Sequence, residues 1–234
     1  MLLSLYGNKI IMDQLLNNLK VQINEKIYLK DPESSDLGKR IISNSIQMIH
    51  KMGFEQFTFK KLGAQISSNE SSIYRYFENK HKLLIYLTSW YWGWLEYQLV
   101  METMKIMNAQ EKLSIALDII TQPIEQDSKF EHIDEVTLNK IVIAEYSKSY
   151  LTKEVDEENK NGYFTIYKRL VERVKDMILM VKPTYKYPSS LSSTILEGAL
   201  HQHFLKDHFK NLTDCNDEVS PTEYFKHLVF QTLK

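Results

Sequence analysis

The chain has a single cysteine, Cys215, so it closes no internal disulfide, and a reducing cytoplasm is the expected compartment. Glycine and proline are scarce, at 7 and 5 of 234 residues, while Leu, Ile, Lys, Glu and Met are common. That balance favours helices throughout. No stretch alternates convincingly enough to read as a strand. No apolar run is long enough to span a bilayer, so no membrane partner is expected. The opening MLLSLYGNKIIM lacks the basic start, long apolar core and small-residue cleavage site of a signal peptide. Repeats, low-complexity tracts and flexible linkers are missing too. So are a phosphate-cradling glycine loop and a Ser-His-Asp arrangement, and neither an enzyme nor a cofactor is expected. The histidines of HQHFLKDH (201–208) tempt a metal reading. His201 and His203 face apart on a helix, however, and the other pairs lie two turns away, so no metal is expected.

What is present is a 43% hydrophobic content, ample for a core, and an uneven spread of charge. Residues 34–90 hold eight Lys/Arg against four Asp/Glu, a local +4. The whole chain carries −1, which leaves −5 for the remainder. A basic segment on an acidic body points to a polyanion partner.

Helical periodicity organises the chain. Ile11, Leu15, Leu16, Leu19, Ile23 and Ile27 predict one helical extension over residues 1–30, broken at Pro32. Ser34 or Ser35 then caps a helix bearing Leu37, Ile41, Ile42, Ile46 and Ile49, which ends near Gly53. Thr58 starts a second helix to about Ile66. Asn69 caps a third through Phe77. Asn79 caps a fourth running from Lys80 beyond Met104. Further segments follow around Leu113–Ile120 and Val136–Ala144, then at 163–182 and 191–210. The polar stretch 152–162 is expected to be a loop. Ser220, Pro221 and Glu223 open a last helix with a capping box.

Three short helices with a tight turn before the third have helix-turn-helix spacing. The residues go further. Gly53-Phe54, Thr58, Leu62, Ile73-Tyr74, Tyr76-Phe77, Lys80 and Leu83-Leu84 stand at fixed offsets. On these positions the segment GFEQFTFKKLGAQISSNESSIYRYFENKHKLL resembles the DNA-binding domain of the TetR family of bacterial transcription regulators. Two departures stand out. Ile66-Ser67-Ser68-Asn69 replaces the Ala, Gly and Val usual around the turn, and Gly63 stands where an Ala is usual.

The resemblance implies an all-α fold with an N-terminal three-helix helix-turn-helix domain and a C-terminal helical ligand-binding and dimerisation domain. The division expected is a helical extension at 1–33, the DNA-binding domain at 34–80 and the regulatory domain at 81–234. Double-stranded DNA is the implied partner. Short side chains at Glu70, Ser71 and Ser72 would let the third helix approach a major groove. Tyr74, Tyr76 and Lys80 would face sugar and phosphate, and Thr58 would bind phosphate from the second helix. Lys60 would reach the groove edge, and Arg75 is equipped to read guanine. Tyr76 has core packing as its rival role.

In the C-terminal part the resemblance implies an inducer site and a dimer. Trp90, Trp94, Tyr97, Met101 and Met104 share one face of the fourth helix and are the candidate wall for a small apolar or aromatic ligand, with core packing as the alternative. Tyr146, Tyr150 and Tyr163 are further contributors. Residues 163–182 and 191–210 are the candidates for a dimer bundle. Twofold symmetry would set two reading heads about 34–36 Å apart on a near-palindrome. The implied function is a ligand-responsive repressor. The alternatives are a ligand-free regulator of the same fold and a helical protein-interaction module.

Overall fold

The computed structural model describes residues 21–126 and 130–234 of the chain. Among the described residues there is no strand. The long helix α1, Asp36–Gln56, starts where the Ser35 hydroxyl accepts the Gly38 amide at 3.2 Å. It buries Ile41, Ile42, Ile46 and Ile49 on one face. It is broken by a kink at Gly53, whose φ of 76° lies in the left-handed region that glycine tolerates best, before a last turn to Gln56.

Helix α2, Phe59–Gln65, is capped by Thr58, which accepts the Lys61 amide. Helix α3, Glu70–Tyr74, is capped by Asn69. Between them the Ser68 amide donates to Gly63 O at 2.8 Å, and Ser67 takes a φ of 51°. A Cβ on Gly63 would lie 2.9 Å from the Ser68 carbonyl oxygen. The departures noted in this turn are therefore linked: the tight Ile66–Asn69 turn needs a residue without a side chain at 63.

Helix α4, Lys80–Thr103, is capped by Asn79 and runs from this head into the rest of the molecule. Its buried residues lie on all sides, from Leu83 to Leu99, so it is apolar all round. Burial contributes about 1.5–3 kcal/mol per large side chain, which makes packing rather than propensity the force that holds it. Around it stand α5 (Ala109–Thr121), α6 (Glu135–Glu145), α7 (Ser147–Tyr150), α8 (Val155–Lys160), α9 (Thr165–Val181), α10 (Pro188–His208) and α11 (Pro221–Thr232). Helices α9 and α10 pack along each other, and α6 packs on both α1 and α4, joining head to body. Ser220 caps α11 by accepting the Glu223 amide at 3.1 Å.

Four expectations change. Of the helical extension over 1–30, residues 1–20 lie outside the described residues. Residues 21–30 hold only the 3-10 turn Glu25–Ile27, because Asn24 caps it and the chain is extended again at Tyr28. The 152–162 segment is not all loop. Buried Glu158, bound to His81 at 3.0 Å, anchors α8 inside it. Helix α3 stops at Tyr74, short of Phe77, and α4 stops at Thr103.

Candidate nucleic-acid interface

The α2–turn–α3 unit places its polar residues on the surface. Ser71, Tyr74, Arg75, Thr58 and Lys60 are exposed, and Glu70 and Ser72 are half-buried. The third helix begins in a compact polar knot. Asn69 Oδ1 accepts the Ser72 amide at 2.8 Å, the Ser71 hydroxyl at 2.8 Å and the Ser72 hydroxyl at 2.6 Å. Both serine oxygens keep lone pairs for an outside donor, such as a base amino group.

Tyr74 is 46% exposed, yet its ring stands edge-on to buried Phe59 with centroids 5.0 Å apart. Packing thus fixes the ring while a large part of the residue stays accessible. Thr58 Oγ1 accepts the Lys61 amide at 3.2 Å, which leaves its hydroxyl proton for a phosphate oxygen. Lys60 and Arg75 have no ion-pair partner among the described residues and are exposed. Together these residues form a small, basic, hydroxyl-rich surface that suits a phosphate backbone and base edges.

Two expected contacts are placed elsewhere. Lys80 does not stand free for phosphate. Its ammonium donates to Phe54 O at 2.9 Å, Glu55 O at 3.0 Å and Phe57 O at 3.3 Å, and sits 4.6 Å from the Phe54 ring centre. The three donors of an ammonium are all used in clamping the corner between α1 and α2. Tyr76 is 3% exposed and belongs to the core. Its hydroxyl lies 2.8 Å from Ser35 Oγ, its carbonyl accepts the Leu29 amide, and Lys30 lies over its ring. Burial alone would raise its pKa, but the Ser35 and Lys30 hydrogen bonds outweigh it and bring the phenol below its ordinary value.

The same α1–α2 corner is held from the other side. Buried Glu145, the last residue of α6, accepts the Phe54 amide at 3.0 Å. Lys148 lies 2.7 Å from Glu145 and 3.0 Å from Glu55. Its hydrogen bond to Glu145 comes first among the causes that push its pKa up, and its bond to Glu55 pulls that carboxyl down. Further ties run from head to body: Gln47 to Asp134 at 2.9 Å, and Glu33 to His132 at 2.9 Å. Reading the sequence missed Glu145 and Lys148, since neither lies near the head in the chain.

The candidate ligand wall is not assembled. Trp90 and Trp94 are buried in the core, and Trp90 stands edge-on to Phe130. Tyr97 and Met101 are half-buried, and Met104 is exposed beyond the end of α4. A helix buried on every side does not reserve one face for a ligand. An open pocket of about 380 Å³ lies instead near α10 and α11, lined by Gln202, Cys215, Tyr224 and His227 among others. Among the described residues no group of three His, Cys, Asp or Glu is placed to hold a metal. His203 Nε2–H donates to Thr121 O at 2.9 Å, since a carbonyl oxygen only accepts.

Residues 41–87 match the family model described as bacterial regulatory proteins, tetR family. Two solved structures share the fold. A crystal structure of AibR in complex with isovaleryl coenzyme A and operator DNA matches with a TM-score of 0.55 and 16% identity, covering 82% of this chain and 95% of that one. Apo AibR matches with a TM-score of 0.51 and 14% identity, covering 82% of this chain and 96% of that one. A search of curated protein sequences gave no match.

Proposed function

We propose that this chain, which carries a tetR-family DNA-binding domain at residues 41–87, is a ligand-responsive transcription repressor that binds a near-palindromic operator as a dimer. The observation that carries the reading is the α2–turn–α3 unit, with Thr58, Lys60, Ser71, Tyr74 and Arg75 exposed on it. Ser72 and Glu70 stand half-buried at its edge. Residues 34–80 are taken as the DNA-binding domain and 81–234 as the regulatory one.

AibR, of similar fold, was crystallised with operator DNA and an acyl coenzyme A. That supports DNA as the partner and a small molecule as the effector here. The dimer is assigned to residues 163–182 and 191–210, with exposed Phe209 and Leu212 extending the apolar area past α10. The Glu145–Phe54 bond supports a route by which the body sets the pose of the head. An effector acts through its unequal affinity for the two poses.

The test is selection of binding sites from random duplex DNA, on wild type and on Tyr74→Ala/Lys60→Ala. Wild-type enrichment of a palindrome, with affinity falling steeply as salt rises, is the expected outcome. Failure to enrich any sequence at low salt, with and without added effectors, would overturn the reading.

A further inference from the structure

The segment before α1 touches the body at one end and the head at the other. Val21 packs on Gly93, which stands between Trp92 and Trp94 in α4. A Cβ on Gly93 would lie 2.3 Å from Val21 Cγ1 and 3.6 Å from Ile166 Cγ2 of α9. Gly93 is therefore a notch in a helix crowded with large buried side chains, and Val21 fills it. The Asn24 side-chain amide donates to Asn161 O at 2.9 Å, and the Lys26 ammonium donates to Asn161 Oδ1 at 3.1 Å. Both bonds reach the corner between α8 and α9.

At the head end, Tyr28 meets Tyr86 edge-on, with ring centres 6.1 Å apart. The Leu29 amide then donates to Tyr76 O at 2.8 Å, in the corner between α3 and α4. Ile23 and Ile27 are buried between the two ends. The 3-10 turn Glu25–Ile27 is all the regular structure this stretch contains. A turn of that length is not stable alone. Docking at both ends and the buried isoleucines therefore hold the segment, rather than its own propensity.

We infer that residues 21–30 are a strap that fixes the pose of the reading head, with Val21 on Gly93 as its body anchor and Leu29 on Tyr76 as its head anchor. A short segment without stable structure of its own docks and opens as one cooperative unit. Freeing the body anchor therefore frees the head anchor, and the α3–α4 corner loses a tie to the body. The head then samples further poses, and operator affinity falls in proportion to the population of the competent one. Gly93 and Ile166 both border the body anchor, so a shift of α9 against α4 acts on the strap. The effect on DNA rests on the proposed function; the coupling of the two anchors does not.

The test is Gly93→Ala in the full chain. Ala is the better helix former, so α4 itself is not weakened, while the new Cβ takes the place of Val21 Cγ1. Amide hydrogen exchange is read at Leu29, and affinity is measured on the selected operator. Exchange at Leu29 about tenfold faster and affinity about tenfold weaker are expected. Adding Val21→Ala to Gly93→Ala reopens the room and should restore both. Asn24→Ala cuts the bond to Asn161 without touching α4, and should act like Gly93→Ala. If neither single variant speeds exchange at Leu29, the anchors are independent and the inference is overturned. Faster exchange that the added Val21→Ala leaves uncorrected overturns it as well, and so does faster exchange with unchanged operator affinity. Should the wild type select no DNA, the proposed function falls, while exchange at Leu29 still decides whether the two anchors act as one strap.

Discussion

The Phe54 amide donates to the Glu145 carboxylate at 3.0 Å across 91 residues of chain. The donor belongs to the corner that sets α2 and α3 against α1, and the acceptor ends a helix of the body. One buried hydrogen bond therefore links the pose of the candidate reading head to the packing behind it. Glu145→Ala strands the Phe54 amide and removes one of Lys148's two carboxylate partners. A loss of about 1–3 kcal/mol in unfolding free energy is expected, with weakened DNA binding. Glu145→Gln should recover most of both in denaturant titrations and DNA binding assays.

Tyr74→Phe removes one hydroxyl and keeps the ring on Phe59. It should leave the melting temperature unchanged and weaken operator binding by about tenfold, the effect of one hydrogen bond to a charged group. Lys60→Ala should act differently, lowering the slope of affinity against salt by about one. Binding isotherms at several salt concentrations separate the two.

Lys80→Met tests a structural role. Losing an ammonium that satisfies three carbonyls should lower stability by about 1–3 kcal/mol and leave the salt slope of DNA binding unmoved. A reduced slope with unchanged stability would instead place Lys80 on phosphate.

Gly63→Ala places a Cβ 2.9 Å from Ser68 O, a backbone atom that cannot swing aside. The turn must shift, at a cost of about 1–3 kcal/mol. Thermal denaturation of the variant reads this directly. An unchanged melting temperature would mean that the turn relaxes freely.

His203 gives a pH dependence of fixed sign. Burial, set against its bond to Thr121 O, holds its pKa below the ordinary histidine value. Unfolded, it titrates near about 6.5. Between the two values the unfolded state binds more protons, so its contribution is complete above about pH 6.5 and is lost as pH falls through the folded value. His203→Gln should remove this component from unfolding curves recorded on either side of about pH 6.5.

The capping residues Ser35, Thr58, Asn69, Asn79 and Ser220 were legible because each binds an amide three residues ahead. Local chemistry carries its own evidence. The 152–162 segment misled because its polarity is real, while α8 depends on a pairing with His81 from another helix. Lys80 misled for a related reason. Its charge suits a phosphate, and only the fold reveals three carbonyls within its reach.

The sequence by itself determined the all-helical class, the helix-turn-helix spacing at residues 34–84 and the exposed polar residues of α2 and α3. These follow from periodicity, capping and composition, which act over a few residues. Tertiary structure alone decided that Val21 packs on Gly93 of α4 and how Glu145 reaches Phe54. A helix buried on every side shows no preferred face in its sequence. A contact between residues 91 positions apart leaves no local pattern.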